Sequence, residues 1–189
     1  MRLYITDRHT LPSEKDLLDS IARNLHDGAD WIQIREKDLV ARDLYELVLA
    51  AMALPNPRGV AILVNTRVDV ALAAGASGVH LPSGSPSPQC WREMVPKGFM
   101  IGVSCHTVDE VRSAGDEGAD YVVFGPVFSP QSKISDLAPR GLDGLAQAVA
   151  VTQIPVLALG GVTEENTPLC VGAGAAGIAG ISLFQGDIK

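Results

Sequence analysis

This chain has no run of Lys or Arg: across 189 residues, 15 basic side chains are dispersed among 22 acidic ones, for a formal charge of -7. That argues against a nucleic-acid surface and leaves room for a local basic pocket that takes a small anion. Long hydrophobic runs are missing too. Although 47% of residues are apolar, Gly, Asp or Thr interrupts each stretch well before the ~18 residues that a membrane-crossing helix needs. The chain opens directly on a strand-like segment, Arg2 to Thr6, so the expectation is a soluble cytoplasmic protein. Cysteine is scarce. Cys90, Cys105 and Cys170 are odd in number and form no C-x-x-C pair, which points away from a disulfide framework and from a zinc site, towards reduced thiols. No linker or composition break divides residues 1–189, and the length suits one domain.

What is present is an internal repeat. Gly28-Ala29-Asp30-Trp31, Gly75-Ala76-Ser77-Gly78, Gly118-Ala119-Asp120-Tyr121 and Gly174-Ala175-Ala176-Gly177 each stand where a helical pattern meets an apolar run. The separations of 47, 43 and 56 residues are too long for one βα unit and right for two, so four copies imply eight units. In each copy the Gly supplies a left-handed helix end, the Ala packs under the incoming strand and the third residue opens it. The reading is a small (β/α)8 TIM barrel, with its chemistry at the C-terminal ends of the strands. Strands are expected near 2–6, 30–34, 60–64, 77–81, 100–104, 120–124, 155–159 and 177–183. Ser13 with Asp16, and Thr107 with Glu110, read as capping boxes. After the eighth strand only Phe184 to Lys189 remains, which leaves a short or missing final helix. A second subunit covering that flank, hence a homo-oligomer, is expected ahead of an exposed groove.

Polar residues cluster where such a barrel would react. In Gln33-Ile34-Arg35-Glu36-Lys37 the alternation of a strand puts Gln33, Arg35 and Lys37 on one side, an amide and two cations suited to a phosphate or diphosphate. The plainer reading pairs Arg35 with Glu36. Asn65 closes the third strand and either holds a ligand amine or ring nitrogen or caps the helix that Arg67 and Asp69 begin. Gly160-Gly161 precedes a helix starting near Thr163, and Gly180-Ile181-Ser182 faces the same place, the usual barrel phosphate site; a turn needing Gly only for its conformation is the alternative. Ser104 can donate to a phosphate or carboxylate, and His106 and His80 are candidate proton carriers, each with an ordinary capping or core role beside it. The loop from Ser129 to Arg140 is long enough for a lid.

Over nearly the whole chain these segments resemble the thiamine phosphate synthase and TenI superfamily: Gln33 to Asp38, Asn65 to Gly78, Ser104 to Thr107, Gly118 to Phe128 and Ala158 to Gly161. The resemblance implies a pyrimidine diphosphate held by Gln33, Arg35, Lys37 and Asn65, and a thiazole phosphate held by Gly160, Gly161, Ile181 and Ser182, with Ser132 and Lys133 resembling the last two lid ligands. The synthase reaction ionises the pyrimidine diphosphate, lets the thiazole nitrogen attack the carbocation and releases pyrophosphate with Mg²⁺. Two expected acidic ligands are replaced here, one by Thr66 and one within Pro82-Ser83-Gly84-Ser85. That loop resembles the TenI branch, which includes metal-free thiazole tautomerases whose acid/base His stands where this chain has Pro126. The first expectation is therefore a TenI-like tautomerase with no metal or cofactor, His106, His80 or Lys37 moving the proton. A thiamine-phosphate synthase using Mg²⁺ and a non-catalytic phosphate-binding paralogue are the alternatives.

Overall fold

The computed structural model describes residues 1–13, 16–129 and 137–186. Eight strands, β1 (Arg2–Ile5), β2 (Trp31–Ile34), β3 (Ala61–Asn65), β4 (Gly78–Leu81), β5 (Met100–Cys105), β6 (Tyr121–Phe124), β7 (Val156–Ala158) and β8 (Gly177–Gly180), form a closed barrel in sequence order. Neighbouring strands run parallel, as in Ile32 opposite Ile62 and Val122 opposite Val156. Between them lie α1 (Asp16–His26), α2 (Ala41–Met52), α3 (Val68–Ala74), α4 (Pro88–Arg92), α5 (Val108–Asp116), α6 (Gly141–Ala150) and α7 (Thr167–Gly172), with α8 (Ser182–Gln185) last. The strands are short and almost wholly buried, as a parallel sheet covered on both faces requires.

The four repeat copies behave alike. Gly28, Gly75, Gly118 and Gly174 all have positive φ, between 70° and 106°, and Ala29, Ala76, Ala119 and Ala175 are all buried. The N–H of the third residue then donates to the carbonyl of the preceding strand: Asp30 to Arg2, Ser77 to Ile62, Asp120 to Ile101 and Ala176 to Val156, at 2.8–2.9 Å. Copies one and three add a side-chain bond, since Asp30 accepts from the Arg2 N–H at 2.8 Å and Asp120 from the Ile101 N–H at 2.6 Å. An acidic third residue thus fixes the start of two neighbouring strands at once.

The described residues group into two compact units, one drawn from 2–80 with 181–186 and one from residue 1 with 81–180. In the first, Asp16 accepts from the Ser13 N–H at 3.1 Å ahead of α1. Strand eight stops at Gly180 instead of running to residue 183, because Ile181 turns into the helical region and α8 follows. This single turn carries Phe184 onto Tyr4, ring centroids 5.7 Å apart, with the Arg2 guanidinium 5.2 Å from the Phe184 ring. Gln185, also buried, donates to the Asp7 carbonyl and accepts from the Thr10 hydroxyl. The final helix is a single short turn, as the few residues after β8 implied.

In the second unit, Thr107 and Glu110 form the capping box of α5. Helix α7 begins at Thr167, four residues later than the expected start near Thr163. Thr163 and Asn166 exchange side-chain bonds with each other's N–H groups, closing a separate turn before it.

Candidate functional site

At the ends of β2 and β3 the side chains form a connected set. Gln33 is 1% exposed; its side-chain N–H donates to Asn65 Oδ1 at 2.8 Å, and Asn65 in turn donates to Thr66 Oγ1 at 2.9 Å. Gln33 Oε1 is left buried with no partner among the described residues. An orphaned buried acceptor costs about 1–3 kcal/mol, and a ligand N–H would remove that cost.

Arg35 is half-buried and does not pair with Glu36. Its backbone N–H donates to Thr6 Oγ1 at 2.9 Å, and the Thr6 hydroxyl donates to Glu36 Oε1 at 2.5 Å. The other Glu36 oxygen accepts from Arg8, backbone at 3.1 Å and guanidinium at 3.2 Å. Arg8 also grips Asp38, holding that carboxyl well below the usual carboxylate range. Among the described residues no carboxylate pairs with the Arg35 guanidinium. Lys37 is exposed beyond the strand end. The Thr6–Glu36–Arg8 brace was not anticipated from sequence; the readable signal was a Thr closing β1 beside an acidic residue inside an otherwise basic strand end.

Thr66 has φ of 65°, a left-handed conformation that a β-branched residue rarely adopts. Its N–H donates to the His80 carbonyl at 2.8 Å. Strain of this kind concentrates at ligand sites.

Of the candidate proton carriers, His80 is buried, and burial, with the nearby Arg35 charge as the lesser cause, presses its pKa down to about 3. It is a neutral imidazole at physiological pH and has no proton of the imidazolium kind to give. His106 is half-buried, with Nδ1 2.6 Å from the Gly125 carbonyl. A carbonyl only accepts, so Nδ1 carries the proton and Nε2 the lone pair in the neutral ring. Burial pushes the Cys105 thiol up to about 12, which leaves it inert as a nucleophile.

Gly160 and Gly161 follow β7 with φ of 92° and 62°. A Cβ at Gly160 would lie 2.6 Å from Pro126 Cβ, and one at Gly161 would lie 2.6 Å from the Ser129 carbonyl. The Leu159 and Gly160 carbonyls accept from the Val127 and Phe128 N–H groups at 2.8 and 2.9 Å, so the loop after β6 rests directly on the loop after β7. The Gly160, Gly161 and Val162 N–H groups have no acceptor among the described residues, which leaves three donors for an anion. Close packing and anion binding both call for glycine here, so the two sequence readings are compatible. Ser182 is exposed at the first residue of α8, directly after Ile181. Ser132 and Lys133 lie outside the described residues.

Ser104 lines a cavity of about 280 Å³ between the Pro82–Pro88 loop and α5, together with Asp109, Glu110 and Glu117. Its acidic lining does not suit a phosphate. For Mg²⁺, the donor set fits poorly: among the described residues no three His, Cys, Asp or Glu side chains come together as a metal site. Thr66 stands after Asn65, and Ser83 spends its hydroxyl on Glu110 at 3.3 Å. A hard cation prefers oxygen anions, and the β2–β3 ends offer amides, a hydroxyl and a guanidinium. No helix among the described residues is long and apolar enough to cross a membrane.

Residues 3–184 match the model of the thiamine monophosphate synthase family, TMP-TENI. The chain belongs to this family. Members of similar sequence include a Geobacter sulfurreducens protein, 45% identical over 183 residues that cover 97% of this chain and 85% of its relative. The thiamine-phosphate synthase of Roseiflexus sp. is 39% identical, covering 96% and 77%. Among solved family structures, thiamine phosphate pyrophosphorylase from Pyrococcus furiosus superposes with a TM-score of 0.86 at 33% identity, over 98% of this chain and 88% of that one. The synthase family therefore shares this chain's fold across almost its full length.

Proposed function

We propose that this chain is a thiamine-phosphate synthase, a transferase that joins a pyrimidine diphosphate to a thiazole phosphate and releases pyrophosphate. This reverses the order of the sequence expectations, in which the tautomerase stood first. The observation that carries it is the buried, partnerless Gln33 Oε1: an acceptor beside the Asn65 amide suits an aminopyrimidine, which offers an N–H donor next to a ring-nitrogen acceptor. A tautomerase needs a group that moves a proton between carbon and solvent. Here Pro126 stands in the loop after β6 and His80 is held neutral, which leaves His106 and Lys37 as the remaining proton carriers.

The transferase needs no such group. The carbon–oxygen bond breaks with both electrons going to the diphosphate, and the thiazole nitrogen lone pair forms the new carbon–nitrogen bond, with no proton transferred. Gln33 and Asn65 orient the pyrimidine. Arg35, with its fork, and Lys37 stabilise charge on the departing diphosphate. The Gly160–Val162 amides hold the thiazole phosphate. The test is thiamine phosphate formation, read as fluorescent thiochrome, by the wild type and by Gln33→Ala. Product from the wild type, with KM for the pyrimidine diphosphate raised about tenfold in the variant, is expected. No product above a heat-denatured control would overturn the assignment.

A further inference from the structure

Each carboxylate near the ends of β1 to β3 already has a partner. Asp7 accepts from the His9 N–H, Glu36 is held by Thr6 and Arg8, Asp38 by Arg8 and Asp69 by Arg67. Arg67 holds the Asp69 carboxyl below its ordinary range, and the same pair raises the guanidinium, so Asp69 is a neutralised partner and not an idle ligand. The Thr66 hydroxyl is taken by Asn65. Against these stands Arg35, whose guanidinium has no carboxylate partner among the described residues and whose charge is felt by the buried His80. A divalent cation placed here would meet a positive side chain, two amides and a neutral imidazole, whereas an oxyanion would meet a ready counter-charge and a fork of donors.

We propose that the β2–β3 end binds the diphosphate of its substrate directly, with no divalent cation held by the protein, and that Arg35 is the principal counter-charge. The organic half of that substrate rests on the synthase reading; the anion site does not. Isothermal titration calorimetry with inorganic pyrophosphate, in excess EDTA and again with Mg²⁺, tests it on the intact chain.

The expected result is binding of indistinguishable affinity in both conditions, weakened about tenfold or more in Arg35→Ala. Arg35→Lys, which keeps the charge and loses the fork, should fall between, and thermal melts establish that each variant is folded. Binding seen only with Mg²⁺, or an affinity unchanged in folded Arg35→Ala, would overturn the proposal. Metal-independent pyrophosphate binding without thiamine phosphate formation would instead overturn the synthase reading alone. Product formation together with Mg²⁺-requiring binding would overturn this inference alone.

Discussion

The two compact units present polar groups in opposite ways. At the ends of β2 and β3 the donors and acceptors are side chains: Gln33, Arg35 and Asn65, braced from beneath by Thr6, Glu36 and Arg8. After β7 they are backbone N–H groups exposed by two left-handed glycines. A side-chain site carries full charge and can be emptied without touching the fold. A backbone site carries only partial charge, and its residues also hold neighbouring loops in contact, so binding and stability cannot be separated there.

Arg35→Ala breaks the comparison most sharply. On this account kcat/KM for thiamine phosphate formation falls about 10²–10³-fold, the size of losing a preorganised charge-stabilising donor, while the thermal midpoint stays unchanged. If both quantities stay unchanged, the strand end is merely solvated. Gly160→Ala should act on both quantities together. Its Cβ meets Pro126 at 2.6 Å and its backbone is left-handed, so stability drops by about 1–3 kcal/mol and calorimetric affinity for thiazole phosphate drops with it. A loss of affinity at full stability would make the two regions alike.

His80 keeps a pKa near 3 when folded against 6.5 otherwise, so below pH 6.5 the unfolded chain binds the extra proton and stability falls as pH drops from 6.5 towards 3. The slope from this residue is at most about 1.4 kcal/mol per pH unit. Urea unfolding at stepped pH should show a shallower decline in His80→Gln. Smallest is Thr66→Asn: relief of the left-handed strain at a residue type that tolerates it should add about 1 kcal/mol, read as a higher urea midpoint with an unchanged slope.

The barrel was legible because its repeat reports a local necessity: four glycines at positive φ, four buried alanines and four identical strand-opening bonds. Helix starts set by long-range or side-chain choices were less so. The Thr163–Asn166 turn looked like a first helical turn, and the Phe184–Tyr4 contact made by α8 joins residues 180 apart in sequence. In the site, the Gln33–Asn65 bond crosses between strands, while strand alternation spoke only for Gln33, Arg35 and Lys37. It could not show that Glu36 would be claimed by Arg8 and Thr6, because that depends on a neighbouring strand. Nor could it show that His80 would be buried deeply enough to lose its proton.

The most direct measurement of the central claim follows two products at once. Purified protein is given pyrimidine diphosphate and thiazole phosphate, and in a parallel reaction the non-aromatic thiazole carboxylate phosphate alone. The account predicts thiamine phosphate and pyrophosphate appearing one for one in the first, and no isomerisation in the second. Aromatic thiazole formed in the second reaction, with no pyrophosphate released in the first, would contradict it.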